Sequence, residues 1–439
     1  MSYFPTWKRV DHAPEGAVIA PDEILSWPRN VAMGAQHVVA MFGSTVLAPL
    51  LMGFDPNVAI LMSGVGTLIF FLFVGGRVPS YLGSSFAFIG GVVAVTGYAG
   101  GGANLNIGVA LGAIIMCGLV YTLIGLAVWA AGAASGGGSR WIESLMPPVV
   151  TGAVVAVIGL NLAPIAVRGA MGTTTFEAVM ALVTVLCVGG VAVFTRGMVQ
   201  RLLILVGLIV AFVLYVLATN VMGWGKPVDF SIVANAAWLG WPTFSAPVFQ
   251  FSAISVIAPV AIILVAENLG HVKAVSAMTG RDLDRYMGRA FVGDGVATMV
   301  SGAVGGTGVT TYAENIGVMA VTRIYSSLVF VLAALIAIVL GFSPKFGALI
   351  QTIPQPVLGG MSIVVFGLIA IAGARIWVVN KVDFSDNRNL ITAAVTLVLG
   401  AGDFTLKIGN FALGGIGTAT FGAIILYALL RGRSACNSA

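Results

Sequence analysis

The chain has 439 residues, of which 59% are hydrophobic and 8% are charged, against roughly 25% charged in an ordinary soluble domain. Such a sequence cannot build a water-facing surface, so soluble domains are excluded and a polytopic membrane protein is predicted. The net charge of +5 then reflects membrane topology rather than a nucleic-acid partner.

Residues 1–28 are polar and mixed in charge, and they read as a cytoplasmic N-terminal tail rather than a signal peptide. Apolar runs follow at 30–52, 57–75, 81–97, 105–134, 147–165, 174–194 and 200–222, numbered here segments 1–7. The loop 223–252 carries Trp224, Trp238 and Trp241, residues suited to a membrane–water interface. Segments 8–14 are predicted at 253–278, 289–304, 309–321, 325–342, 354–373, 389–402 and 409–430, before a C-terminal tail at 431–439. Most reach the ~17–25 residues a spanning helix needs. The Gly-rich stretch Ala133 to Ser139 lacks the Lys of a phosphate loop and reads as a turn. Cys117, Cys187 and Cys436 have no metal-ligand spacing.

With the N-terminus in the cytoplasm, only Arg168, Lys226, Lys345 and Lys407 fall on the outer side, and every other Lys and Arg falls inside or within a helix. That asymmetry satisfies the positive-inside rule, and an even number of spans places both termini in the cytoplasm. Seven spans followed by seven make the second half start from the opposite side, the arrangement of inverted repeats. Segments 3 and 10 hold the same place in their halves, and neither reads as a plain helix. Segment 3 opens Pro79-Ser-Tyr-Leu-Gly-Ser-Ser-Phe, and residues 305–323 around segment 10 contain Gly-Gly-Thr-Gly-Val-Thr-Thr-Tyr-Ala-Glu. Broken backbone is tolerated at membrane depth only where protein or a cavity satisfies it. The two breaks are therefore expected to meet at the midplane and line a site.

Ionisable residues inside apolar runs are few: His37, Glu267, His271, Asp294 and Glu314. A charge at the bilayer centre facing lipid costs ~2.5–3.5 kcal/mol or more, so such residues default to functional sites. Glu267 and His271 stand four apart and share a helix face. Asp294 suits either a site or a brace, and His37 suits a structural bond between helices. No nucleophile–base pair, zinc spacing or phosphate loop is present, so an enzyme is not expected.

These residues carry a resemblance. Gln36-His37 with Ala40-Met41-Phe42-Gly43, Ser84-Ser85-Phe86-Ala87-Phe88, Ala266-Glu267 with Gly270-His271, and the run from Glu314 to Arg323 resemble the motifs of the nucleobase–cation symporter family, also called nucleobase–ascorbate transporters. Within it the chain is similar to bacterial uracil permeases, and in Met287 to Gly295 to the pyrimidine permeases encoded with pyrimidine degradation. The resemblance implies an all-α fold of 14 transmembrane segments as 7+7 inverted repeats, with short strands in broken segments 3 and 10. It implies a core domain at 29–134 and 253–342 and a gate domain at 147–222 and 354–430. By motif position Glu267, His271 and Glu314 take the polar binding positions, Phe86 and Ala313 supply backbone contacts, and Ser44 and Tyr312 line the pocket. It further implies uptake of uracil, or of thymine, across a bacterial inner membrane, with protons as the coupling ion carried at Glu267, His271 and Glu314. No other cofactor is implied; the partners implied are the lipid bilayer and a second copy in a homodimer.

Ala313 stands where uracil permeases carry Gly, Gly308-Val309 where Pro-Asn is usual, and Phe366 where a gate Tyr is usual. The alternatives are a purine (xanthine or urate) permease of the same family and an anion exchanger or channel of the same fold. The first more often carries Gln-Asn in place of Glu314-Asn315, and the second predicts a cation at the break.

Overall fold

The computed structural model describes residues 3–10, 18–100, 102–135, 140–409 and 411–430. The turn from residue 136 to 139 and the 431–439 tail lie outside them. The fold is that of an all-α polytopic membrane protein. Segment 1 is the helix Trp27–Met52, segment 2 Pro56–Val74, segment 4 Ile107–Ser135, segment 5 Pro148–Met171 and segment 6 Thr175–Phe194. Segment 7 is Leu203–Val216 continued by a π turn, Leu217–Val221. In the second half, segment 8 is Phe251–Ile257 followed by Val260–Thr279, and segment 9 is Met287–Val304. Segments 11 to 14 are Ser327–Gly341, Gln355–Val379, Asn387–Ala401 and Gly415–Leu430. Among the described residues eight helices are long and apolar enough to cross a membrane, or nine if Ser327–Gly341 and Pro344–Gln351, bent by 81°, count as one.

Helix ends follow local chemistry. Segment 2 starts where the Asp55 carboxylate accepts the Asn57 N–H at 2.7 Å, with Pro56 in the first turn, and stops at left-handed Gly75. Thr174 and Glu177 form a reciprocal capping box at the start of segment 6. Two segments overrun the expected ends. Segment 5 runs to Met171 with Pro164 inside the helix, which leaves the Leu160 carbonyl without its helical donor but does not end the segment; the Arg168 Nε–H donates to the Pro164 carbonyl at 3.2 Å. Arg168 therefore lies on the helix and not in the outer loop. Segment 12 runs to Val379, which brings Arg375 onto its last turns.

Segments 3 and 10 are the breaks. Segment 3 is a strand, Leu82–Ser84, followed by a helix, Ala87–Thr96; segment 10 is a strand, Val309–Thr311, followed by a helix, Ala313–Thr322. The strands pair antiparallel with Leu82 opposite Thr311, Gly83 opposite Thr310 and Ser84 opposite Val309. Each strand thus satisfies the other's backbone inside the protein, the condition for irregular chain at this depth.

The helices pack in two groups. Segments 1, 2, 4, 8, 9 and 11 pack on one another around the strand pair, and segments 5, 6, 7, 12, 13 and 14 pack on one another. Pairings recur with a shift of seven: 2 with 11 and 9 with 4, 6 with 12 and 13 with 5, 6 with 7 and 13 with 14. Segments 5 and 12 cross at backbone contact, since a Cβ on Gly159 would stand 2.2 Å from the Phe366 carbonyl and one on Gly373 would stand 2.4 Å from the Ala156 nitrogen. Close crossings through small residues are how helices adhere where lipid is as apolar as Leu.

The N-terminal stretch packs on the first group. Phe4 and Trp7 stack on Phe71, and the Arg289 guanidinium lies 4.6 Å from the Tyr3 ring centre. The Ile19 N–H donates to Arg323 O at 3.0 Å, and Arg281 pairs with Asp22 at 2.5 Å. The Arg281 to Arg285 run is correspondingly tied down, with Asp284 bonded to Lys273 at 2.7 Å.

Candidate functional site

Where the two breaks meet segment 8, a cavity of about 610 Å³ opens. Phe86, Glu267, His271, Tyr312, Ala313 and Glu314 all line it. Phe86 stands two residues beyond the first strand and Ala313 two beyond the second, so the pairing delivers both to the same place. Among the described residues neither one's N–H reaches a backbone carbonyl. Each is at the mouth of a half-helix, where N–H groups have no intrahelical acceptor.

Ser44 is not a wall of the cavity. It is buried on segment 1, and its hydroxyl donates to the Glu314 carboxylate. Tyr312 is pinned at its hydroxyl, which donates to Ser84 O at 2.8 Å and accepts from Thr45 at 3.1 Å. Its ring therefore has a fixed plane, seated against Gly83, where a Cβ would come within 2.5 Å of it.

His271 is oriented from behind. Its Nδ1 lies 2.8 Å from Thr311 Oγ1, and that hydroxyl donates to Asn268 Oδ1 at 3.4 Å. With the Thr311 proton directed to Asn268, Nδ1–H is the donor, which leaves Nε2 as the acceptor of a neutral ring. The Asn268 amide donates in turn to Asp294 Oδ2 at 2.7 Å and to the Tyr121 hydroxyl at 2.9 Å. Asp294 is wholly buried, does not line the cavity, and braces segments 4, 8 and 9. His37 is also wholly buried, bonded by the Asn315 amide at 3.0 Å and packed on Phe330. Both are structural links between helices.

Sequence reasoning missed several residues. Thr311 and Asn268 are uncharged and sit in apolar surroundings, so only their place beside His271 could have marked them. Arg201 and Arg375 line the far end of the cavity. Opposite the breaks, Val155, Ile158, Leu203, Ile204, Val365 and Leu368 from segments 5, 7 and 12 make an apolar wall. Phe366 lies behind that wall, edge-on to Phe86 with ring centres 6.1 Å apart.

The cavity thus offers two carboxylates, an imidazole acceptor and two free backbone donors beside fixed aromatic rings. Ionised carboxylates accept only, and the N–H groups donate only. Such a set suits a small flat molecule with alternating N–H and C=O groups, which would otherwise leave these groups unsatisfied at ~1–3 kcal/mol each.

Comparisons with known proteins agree with this architecture. Residues 29–409 match the profile of the Permease family. The chain is 68% identical to the protein named "Putative pyrimidine permease RutG" of Escherichia coli (strain K12), over 97% of this chain and 95% of that one. It is 43% identical to the uracil permease of Paenibacillus larvae, over 93% of this chain and 96% of the other. Among solved structures it is similar to the transmembrane domain of the cyanobacterial bicarbonate transporter BicA, with a TM-score of 0.62 at 17% identity, covering 91% of this chain and 96% of that one; at that identity the likeness is one of fold. These relatives are membrane permeases and not enzymes, and the chain belongs to the permease family of the nucleobase–ascorbate transporters.

Proposed function

We propose that this protein imports uracil, with protons as the coupling ion, by movement of a core domain (29–134 and 253–342) against a gate domain (147–222 and 354–430). The observation that carries the reading is the convergence of Glu267, His271, Glu314 and the free N–H groups of Phe86 and Ala313 on one cavity. Glu267 and Glu314 accept the ring N–H groups of the base, the backbone N–H groups take its carbonyl oxygens, and Phe86 and Tyr312 flank its face. The two packing groups of helices, with the cavity between them, support the division into core and gate. Two carboxylates within electrostatic reach of each other, with His271 beside them, give protons a place to ride with the substrate. Both termini are read as cytoplasmic, the membrane as a bacterial inner membrane, and the assembly as a homodimer.

Uracil uptake into proteoliposomes tests this reading. Uptake should require an inward proton gradient, and equal uptake with and without one would reject the coupling. Competition by thymine, xanthine and chloride separates the pyrimidine reading from the purine and anion readings. Glu314 at the break disfavours the anion reading, because a carboxylate occupies the half-helix mouth that an anion would take.

A further inference from the structure

The cavity is larger and more charged than a single base requires. At about 610 Å³ it falls in the range of pockets that enclose drug-sized ligands, ~300–1,000 Å³. Its lining carries both signs of charge, and they are set apart. Glu267 and Glu314 lie beside the strands. Arg375 lies nine residues, ~13 Å along the helix, beyond Phe366, whose ring meets Phe86 of the break, and Arg201 lines the cavity with it. The arginines come from segments 7 and 12, and both are exposed. Among the described residues neither makes an ion pair, a hydrogen bond or a ring contact.

Neighbouring cations are committed elsewhere. Arg281 pairs with Asp22, Lys273 with Glu143 and Asp284, and Arg289 lies over Tyr3 and Trp129. Placement on one side of the membrane accounts for an arginine at a helix end, but it does not account for two facing one cavity. A guanidinium presents a planar fork of donors that matches a phosphate. Glu314 keeps an anion from the half-helix mouth, and the two arginines offer a phosphate a place away from the carboxylates.

We propose that the cavity binds a pyrimidine nucleoside monophosphate entering from its arginine end. The base keeps one ring N–H, which lies at Glu314, its other ring nitrogen carries the sugar toward the arginines, and the phosphate lies between Arg201 and Arg375, so that the nucleotide blocks uracil. This rests on the proposed uracil site. The ligand class is a pyrimidine with a phosphate held on a spacer, because the base and the phosphate are recognised at opposite ends. A cell rich in pyrimidine nucleotides would thereby slow further uptake of the free base.

The test is equilibrium binding of labelled uracil to the purified full chain in detergent, with uridine monophosphate, uridine or inorganic phosphate as competitor. The monophosphate should displace uracil at a concentration about tenfold or more below uridine, as expected of charge-assisted bonds to phosphate. In R201Q/R375Q that advantage should vanish while uracil affinity and melting temperature stay as in the parent, and R201K/R375K should retain part of it. Equal displacement by uridine and its monophosphate, an advantage that survives in R201Q/R375Q, or displacement of uracil by inorganic phosphate alone would each overturn the proposal. Failure of uracil itself to bind would instead remove the uracil site on which it rests.

Discussion

The Ser44 hydroxyl of segment 1 donates to the Glu314 carboxylate of segment 10. It joins a residue from the first repeat to the acid of the second, and it fixes one oxygen of Glu314 so that the other is presented to the cavity. Replacing Ser44 by Ala removes a bond to a charged acceptor, a loss of ~1.5–3 kcal/mol. Uracil affinity measured by calorimetry should fall about tenfold or more for Ser44→Ala, while Ser44→Thr should keep most of it. Parental affinity in Ser44→Ala would remove this role.

Two glycines beside the site should behave in opposite ways. At Gly83 a Cβ would stand 2.5 Å from the buried Tyr312 ring and 2.7 Å from Thr45 Oγ1, whereas at Gly270 it would meet nothing within 4 Å. Gly83→Ala should lower the melting temperature in detergent, since overpacking a fixed ring costs ~1–3 kcal/mol. Gly270→Ala should fold as well as the parent or better, because Gly in a helix is ~1 kcal/mol less favourable than Ala. Gly270→Leu should also fold but fill part of the cavity, and uracil binding should drop while the melting temperature holds.

Most of the fold was legible because hydropathy and turn residues report directly on membrane crossing. The breaks in segments 3 and 10 could be read because Ser, Thr, Gly and an aromatic interrupt an apolar run at matching places. Helix ends were less legible. The apolar run marks segment 5 only to residue 165, whereas the helix passes Pro164 and continues to Met171. The same underestimate at segment 12 hid Arg375 from the cavity. The N-terminal stretch reads as a polar tail because Tyr3, Phe4 and Trp7 are scattered among charges, and only the surface they stack on shows their purpose. The hairpin formed by Leu406–Ile408 and Phe411–Leu413 ahead of segment 14 is likewise too short for a pattern to reveal.

Thr311 makes a prediction of its own, since its hydroxyl meets both His271 and Asn268. Thr311→Val keeps the shape but leaves two polar groups unsatisfied, at ~1–3 kcal/mol each. Proton-driven uracil uptake should fall steeply and its pH profile should shift, because the imidazole loses the partner that sets its tautomer. Thr311→Ser should restore both rate and profile. An unchanged profile in Thr311→Val would place His271 outside the proton path.

The approach of segment 7 to segment 1 is equally open to test. A Cβ on Gly43 would stand 2.4 Å from Ile204 Cγ2. Gly43→Ala should therefore slow uptake by wedging the two segments apart, and Gly43→Ala with Ile204→Ala should recover it. Failure of the second change to rescue the first would show that the contact does not limit transport.

The three-rung strand ladder has a last implication. Its middle pair, Gly83 opposite Thr310, lies where the two repeats meet, so each position beyond one strand has a counterpart beyond the other. Phe86 answers to Ala313, and Ala87 answers to Glu314. The backbone is balanced across this point while the side chains are not: Phe86 stands opposite the small Ala313, and Ala87 opposite the acid Glu314. A planar ligand placed there meets two unlike partners. Turning it over would set its N–H edge against the wrong half, so the ladder gives the pocket a handedness that the symmetric scaffold alone lacks.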